Sequence, residues 1–250
     1  MPPYSTLSIV IPAFNEADRL PVTLETLRDR FDAATPQIIV VDDGSTDDTA
    51  EVVRKAKIDG LPVSLVTLDR NRGKGAAVRT GVAATDGDHV LIMDADLATN
   101  LDAIDVMLDR LETADIVIGS RSIPGSSVTG STPTRAMMGR GFNRMVRLVL
   151  RLHVHDSQCG FKMFRGELAR RLFSMSRVDG FAFDPEVLRI AEIMGCSVVE
   201  IPVNWTAVEG SSIRPVRDSL KSAGAVVVTF FRLRPSTVRL RARERGWNPA

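Results

Sequence analysis

Five short apolar stretches, separated by amphipathic segments, constrain the fold of this 250-residue chain more than any other feature. Each stretch is rich in Val, Ile and Leu and lacks a polar face, as strands of a parallel sheet covered on both sides do. Their alternation with amphipathic helices predicts an α/β fold with a doubly wound, mostly parallel sheet and helices on both faces. The predicted strands are 7–13, 37–43, 64–68, 89–95 and 115–120. The predicted helices are 19–31, 45–56, 74–84 and 100–112.

The chain changes character after residue 120. Residues 122–134 are rich in Gly, Ser, Thr and Pro, which predicts a mobile loop. The elements predicted beyond it are helices over 134–152, 166–175 and 184–195 and a strand over 197–203. We expect one catalytic domain, residues 1–215, followed by a basic C-terminal segment, residues 216–250, that associates with a membrane.

Polar and acidic residues follow three of the predicted strands. They are Asn15 and Glu16, Asp42 and Asp43, and Asp94 and Asp96. The carboxyl ends of parallel strands meet at one edge of a sheet, so these side chains are expected to form one site. Side chains one residue apart on a strand point to opposite faces, so Asp96 is expected in the turn. Mg²⁺ or Mn²⁺ typically takes one or two protein carboxylates and fills its shell with substrate phosphates, which predicts a metal site at Asp94 and Asp96.

Two turns that follow strands carry weaker signals. In the turn after 37–43, Asp43 could accept a hydrogen bond from a ribose hydroxyl or a base N–H. Ser45 and Thr46 are explained without a ligand, because either could cap the next helix. In the second turn, glycines flank Lys74 just before a helix, which favours an anion but is equally compatible with a plain turn. The spacing of a P-loop is absent.

Charge is distributed unevenly along the chain. Residues 1–133 contain 12 Lys and Arg against 21 Asp and Glu, and residues 134–250 contain 20 against 10. Arginines recur along the predicted helix 134–152, and more of them follow the apolar run 223–231. They are Arg140, Arg144, Arg147 and Arg151, then Arg232, Arg234, Arg239, Arg241, Arg243 and Arg245. Apolar residues beside arginines predict a helix on a membrane surface, although a solvated face is the simpler interpretation.

The expected location is cytoplasmic, on the cytoplasmic face of a membrane. No secretory leader is expected before the first strand, and Cys159 and Cys196 are not expected to form a disulfide framework. The apolar run 223–231 is too short to span a bilayer, which takes about 20 residues. No nucleic acid is expected as a partner, and the sequence leaves a homo-oligomer open.

Eight motifs in order resemble the family 2 inverting glycosyltransferases of the Rossmann-like GT-A fold. They are IVIPAFNE, VVDDGSTDDT, NRGKGAAVRTG, MDADLAT, GSR, DSQCGFK, FDPEVL and IPVNWTAVEGSSI. The resemblance covers about residues 5–215, and the later motifs look most like the polyprenyl-phosphate (dolichyl-phosphate) glucosyltransferases. They look next most like the dolichyl-phosphate mannose synthases. The chain departs from these relatives in GSSIR (210–214), where they often show GSK, so Arg214 is expected to supply that charge.

This resemblance implies a nucleoside-diphosphate sugar donor, with UDP-glucose favoured over GDP-mannose, and a polyprenyl-phosphate acceptor. The donor is expected at Pro12, Ala13, Asn15, Glu16, Asp43 and Lys74. Asp94 and Asp96 match the family's D-x-D motif, which implies Mg²⁺ or Mn²⁺ and the diphosphate. Arg121 and Arg135 resemble residues that meet the lipid phosphate. Ser157, Gln158 and Lys162 are expected near the transfer centre, and Asp156 or Asp184 could orient a reactant.

The expected reaction is consistent with these residue types. A lipid monophosphate is already ionised near pH 7, because its second pKa is about 6, so transfer to it needs no strong base. A hydroxyl acceptor would need a carboxylate base, for which Asp184 or Glu186 could serve. A nucleotidyltransferase would need a Gly- and Arg-rich loop near the N-terminus, and PAFNEADRL is not such a loop. A nucleotide-sugar sensor that binds without turnover stays open.

Overall fold

A seven-stranded sheet organises the computed structural model, which describes residues 4–31, 36–208 and 215–244. Its strands are β1 (Leu7–Ala13), β2 (Gln37–Asp42), β3 (Val63–Thr67), β4 (His89–Ile92), β5 (Ile116–Ser120), β7 (Lys162–Arg165) and β8 (Val198–Pro202). They lie in the order β3-β2-β1-β4-β7-β5-β8, and β7 alone among them runs antiparallel to its neighbours. A separate two-stranded ladder pairs β6 (Ser127–Thr129) with β9 (Asn204–Thr206).

Helices cover both faces of the sheet, which confirms the predicted α/β class. They are α1 (Leu20–Phe31), α2 (Thr49–Ile58), α3 (Lys74–Ala83), α4 (Ala103–Leu111), α5 (Pro133–Leu150), α6 (Gly166–Met175), α7 (Phe183–Met194), α8 (Pro215–Arg232) and α9 (Pro235–Glu244). Buried residues of α1, α2 and α4 pack on one face. Those of α3 and of α5 to α9 form the core of the other face. Apolar strands buried on both sides therefore have the partners that their composition requires.

β7 was not predicted from the sequence. It inserts between β4 and β5, and its Lys162 pairs with Ile92 on one side and with Ile118 on the other. A four-residue stretch that begins with a lysine is too short for its pattern of apolar residues to identify it as a strand. Strand β7 therefore brings the DSQCGFK segment beside the end of β4.

Several element bounds differ from the predicted ones where side chains bond to the backbone. β4 ends at Ile92, so Asp94 and Asp96 both lie in the turn that follows it. α2 begins at Thr49, where Asp47 accepts the Thr49 N–H at 3.0 Å. The stretch 122–134, predicted as a loop, contains strand β6.

The C-terminal helices α8 and α9 pack on the rest of the fold. Val226 of α8 and Val238 and Ala242 of α9 are buried in the same core as α3 and α5 to α7. Among the described residues, no helix is long and apolar enough to cross a bilayer. A domain boundary at residue 215 stays a prediction.

Candidate active site

The turns after β1 and β2 are bonded to each other at the carboxyl edge of the sheet. Asn15, whose backbone is left-handed (φ 55°), donates its N–H to the Ser45 hydroxyl at 2.9 Å. Its side-chain oxygen accepts the Thr46 N–H at 2.9 Å. Ser45 and Thr46 therefore bond to the first turn, and the expectation that one of them caps α2 is wrong.

Asp43 holds the glycine turn that precedes α3. Its carboxylate oxygens accept the N–H groups of Arg72 and Gly73 at 2.8 and 2.7 Å. Gly73 has a φ of 105°, which side-chain-bearing residues rarely adopt. Asp43 thus fixes the backbone from which Lys74 projects, and its predicted contact with the donor stays a prediction.

Lys74 forms an ion pair with Asp94. The Lys74 Nζ lies 2.5 Å from the Asp94 Oδ1, so the start of α3 is joined to the turn after β4. Burial alone would raise the pKa of Asp94, but the Lys74 ammonium outweighs it and the pKa lies below its usual value. Two of the first free amides of α3, those of Gly75 and Ala76, are not available to an anion, because they donate to the Asp179 carbonyl at 2.7 and 3.2 Å.

Three carboxylates share this edge of the sheet with Lys74. Burial raises the pKa of Asp96, and the charge of Asp94 raises it further. Burial also raises the pKa of Glu16 to about 7, against the lowering effect of Arg19 and with added repulsion from Asp96 and Asp94. A concentration of negative charge that raises carboxylate pKa values is a suitable place for a cation.

The donor set at Asp94 and Asp96 fits Mg²⁺ or Mn²⁺. Both side chains offer hard oxygen ligands, and only one oxygen of Asp96 is engaged, by the Ala98 N–H at 3.1 Å. Among the described residues, no three or more His, Cys, Asp or Glu side chains are grouped as a metal site. The protein would therefore contribute two carboxylates and leave the remaining positions to substrate and water.

Gly160 closes the space beside Asp94. A Cβ atom built on Gly160 would lie 2.2 Å from the Asp94 Oδ2, closer than any real contact. Gly160 and Asp94 line the same cleft, together with Met93, Leu97, Ala98, Thr99 and Phe161. The position of the Asp94 carboxylate thus depends on a glycine in the DSQCGFK motif.

Arg121 and Asp156 form a bidentate ion pair. The Arg121 Nε and Nη2 donate to the two oxygens of Asp156 at 2.7 and 3.0 Å. Burial alone would raise the pKa of Asp156, but Arg121 holds it below its usual value. The Arg121 guanidinium also lies over the Trp205 ring, 5.5 Å from its centroid. These contacts leave the Nη1 edge of Arg121 as the side that can meet an anion.

The turn that carries Asp156 is anchored on two sides. Glu200 of β8 accepts the N–H groups of His155 and Asp156 at 2.7 and 3.0 Å. Asn143 of α5 accepts the Ser157 hydroxyl at 2.8 Å. The Gln158 N–H donates to Asp156 at 3.2 Å. This turn is therefore a rigid support for Arg121.

The remaining candidate carboxylates are each paired with a cation. Asp184 pairs with the Lys162 ammonium at 2.6 Å, and both side chains are almost completely buried. Glu186 has no exposed surface and accepts from the Ser176 hydroxyl, from the N–H groups of Arg177 and Val178, and from Arg232. Neither carboxylate is placed as a general base for a hydroxyl acceptor.

Most residues that the sequence pointed to lie in this region. Pro12 and Ala13 end β1 beside Val41 and Asp42. Lys162 does not face the cleft, because its ammonium bonds to Asp184 and to the Cys159 carbonyl. Arg214 and the side chain of Arg135 lie outside the described residues. The roles of all these residues remain predictions.

Sequence reasoning assigned no role to Gly160, Trp205, Asn143 or Glu200. Trp205 lies in strand β9, whose Thr206 N–H donates to the Ala98 carbonyl at 2.8 Å. That bond places the indole between the turn after Asp96 and Arg121. One signal was available, since Trp205 and Gly160 both occur inside the eight motifs.

The sequence profile described as "Glycosyl transferase family 2" matches residues 8–173. The chain is 36% identical over 249 residues to the dolichyl-phosphate beta-glucosyltransferase of Homo sapiens, covering 93% of this chain and 76% of that protein. It is 34% identical over 242 residues to the enzyme of the same name from Dictyostelium discoideum (90% and 74%). The Saccharomyces cerevisiae enzyme of that name is 30% identical over 245 residues (89% and 73%).

Solved structures show the same fold. The glucosyl-3-phosphoglycerate synthase of M. tuberculosis superposes with a TM-score of 0.67 at 20% identity, over 91% of this chain and 80% of that one. A structure of that enzyme with Mn²⁺, UDP-glucose and phosphoglyceric acid has the same TM-score at 21% identity, over 91% and 79%. The predicted GT-A fold is confirmed.

We predict that Gly160→Ala weakens Mn²⁺ binding by about 10- to 100-fold, the range seen when the support of a metal ligand is disturbed. The added methyl group would displace the Asp94 carboxylate. Titration of free Mn²⁺ followed by electron paramagnetic resonance measures the effect. Gly139→Ala is the control, because nothing lies within 4 Å of its added Cβ. Equal Mn²⁺ affinity in Gly160→Ala and the wild type would show that Asp94 is not a ligand.

Proposed function

The chain belongs to glycosyl transferase family 2, and we propose that it transfers glucose from UDP-glucose to a dolichyl or related polyprenyl phosphate. The named activity of relatives that are 30 to 36% identical supports this choice of donor sugar and acceptor. Their product is a beta-glucoside, and UDP-glucose carries an alpha linkage, so transfer would invert the anomeric carbon.

The acidic edge of the sheet is the proposed donor site. Asp94 and Asp96 would hold Mg²⁺ or Mn²⁺, which stabilises the charge that develops on a departing diphosphate. Lys74 would contact the same diphosphate, because its ammonium lies beside Asp94. Pro12, Ala13, Asn15, Glu16 and Asp43 surround the edge and would bind the nucleoside and sugar.

The proposed acceptor is a phosphate, and the state of the carboxylates is the observation that carries this choice. Asp156, Asp184 and Glu186 are each bonded to an arginine or a lysine. The carboxylates that the sequence offered as bases for a hydroxyl acceptor, Asp184 and Glu186, are therefore already paired with a cation. A phosphate needs a cation instead of a base, and Arg121 offers a guanidinium whose orientation Asp156 and Trp205 fix.

We further propose that α5 and α8 bring the protein to the cytoplasmic surface of a membrane. The two helices pack against each other and expose large apolar side chains. These are Met137, Met138 and Leu148 of α5 and Val227, Val228, Phe230 and Phe231 of α8. The exposed Arg140 and Arg144 lie on α5 among them. Apolar side chains mixed with arginines favour the interface of an anionic membrane.

The proposed reaction is tested by transfer of labelled sugar to a polyprenyl phosphate in detergent. UDP-glucose and GDP-mannose are compared, each with Mg²⁺ or Mn²⁺ and with EDTA. We expect an organic-extractable product from UDP-glucose that EDTA abolishes. Product from GDP-mannose alone would correct the donor, and hydrolysis of the donor without lipid product would contradict the acceptor.

Arg121→Ala is expected to lower kcat/KM for the lipid phosphate by about 100-fold or more in this assay, as loss of a charge-stabilising donor does. Arg110→Ala, an exposed arginine on α4, serves as the control. Equal kcat/KM in Arg121→Ala and the wild type would remove Arg121 from the acceptor site.

Membrane binding is tested by flotation with vesicles containing anionic lipid. Val228→Asp replaces a side chain that is 64% exposed on α8 and should weaken binding at least about tenfold, because an apolar contact is lost. Val106→Asp makes the same change on α4, where Val106 is 46% exposed, and should bind as the wild type does. Equal loss in both variants, or in neither, would contradict the assignment of α8.

A further inference from the structure

Glu186 is a buried carboxylate that the proposed reaction does not use. It lies in the first turn of α7 and has no exposed surface. Its oxygens accept from the Ser176 hydroxyl at 2.8 Å and from the N–H groups of Arg177 and Val178 at 3.0 and 2.8 Å. A buried charge is costly unless it is paired, so this arrangement holds residues 176–178 in one conformation.

The segment that Glu186 holds is followed by Asp179, which is hydrogen-bonded to the start of α3. The Asp179 carbonyl accepts the N–H groups of Gly75 and Ala76 at 2.7 and 3.2 Å. Residue 73 at the start of α3 is a glycine, and no side chain caps the helix, so Asp179 supplies the cap from a distant part of the chain. Arg79 of α3 also pairs with the Asp179 side chain.

The contact between segment 176–180 and α3 leaves no room for movement. A Cβ atom on Gly75 would lie 2.3 Å from the Val178 carbonyl oxygen. One on Gly73 would lie 2.5 Å from the Asp179 carbonyl oxygen. Lys74 stands between these two glycines, and its ammonium meets Asp94 at 2.5 Å. A shift of the segment would therefore move Lys74.

Glu186 is also bonded to helix α8. Arg232, the last residue of α8, donates to the Glu186 Oε1. The sequence grouped Arg232 with the arginines expected at a membrane surface, and the structure instead turns it toward a buried carboxylate. Two residues earlier, Phe230 is among the exposed apolar side chains of α8.

We propose that Glu186 is a positioning residue for the donor site, and that its ion pair with Arg232 couples the packing of α8 to the position of Lys74. This inference rests on the proposed function, in which Lys74 contacts the diphosphate. A helix that docks on a membrane would then influence donor affinity through one carboxylate. The coupling would pass from Arg232 to Glu186, from Glu186 to segment 176–180, and from that segment to the first turn of α3.

Two measurements on the full chain test the coupling. Hydrogen–deuterium exchange follows the amides of Gly75 and Ala76 in a peptide spanning 72–84, without any ligand. Calorimetry measures the Kd of UDP in the presence of Mn²⁺. The variants are Glu186→Gln and Arg232→Ala, with Glu167→Gln on the exposed surface of α6 and Arg54→Ala on α2 as matched controls.

Glu186→Gln is expected to raise both the exchange rate of these amides and the Kd of UDP by about 3- to 30-fold, the range for residues that couple two sites. Arg232→Ala should change both in the same direction, and the controls neither. Faster exchange at 177–178 with unchanged amides at 75–76 and unchanged UDP affinity would overturn the proposal.

The design separates this inference from the proposed function. If the wild type does not bind UDP, the proposed donor is wrong, while the exchange measurement still decides whether Glu186 positions α3. If Glu186→Gln does not fold, Arg232→Ala decides alone, because Arg232 is a partly exposed residue at the end of a helix.

Discussion

Pairing of carboxylates with cations is the interaction on which the rest of this structure depends. Asp94 has Lys74, Asp156 has Arg121, Asp184 has Lys162 and Glu186 has Arg232. Each pair joins elements that are distant in sequence, so these bonds fix the turns around the cleft as well as neutralising charge. Burial raises the pKa values of Asp96 and Glu16, and the neighbouring carboxylates raise them further, which marks the place where a cation would stabilise the charge most.

These pairs also distinguish the proposed reaction from its rivals. A hydroxyl acceptor requires a carboxylate that is free to take a proton, and the two carboxylates that the sequence offered for that role, Asp184 and Glu186, are held by a lysine and an arginine. A phosphate acceptor requires positive charge, which Arg121 supplies from a position that Asp156, Trp205 and the turn behind Asp156 hold rigid. The proposed enzyme would work by bringing two anionic reactants together among cations.

The sequence predicted the parts of the fold that follow from local patterns. Strand β1 was predicted with its observed bounds, Leu7–Ala13, because a short run that is almost entirely apolar has few alternatives. Strand β7 was missed, since its pairing depends on β4 and β5, which lie far away in the sequence. The place of Glu186 could not be predicted for the same reason. The groups that donate hydrogen bonds to Glu186 come from the segment before α7 and from the end of α8, and no spacing of residues in the sequence indicates that arrangement.

The central claim is that the acceptor arrives already ionised and that no protein base takes its proton. The most direct measurement is the pH dependence of kcat/KM for the acceptor, compared between a polyprenyl phosphate and the corresponding phosphonate, whose second pKa is higher. The account predicts that activity with the phosphate rises around its second pKa, about 6, and that the midpoint moves upward with the phosphonate. An identical midpoint for both acceptors would assign the titration to a protein base and would contradict the account.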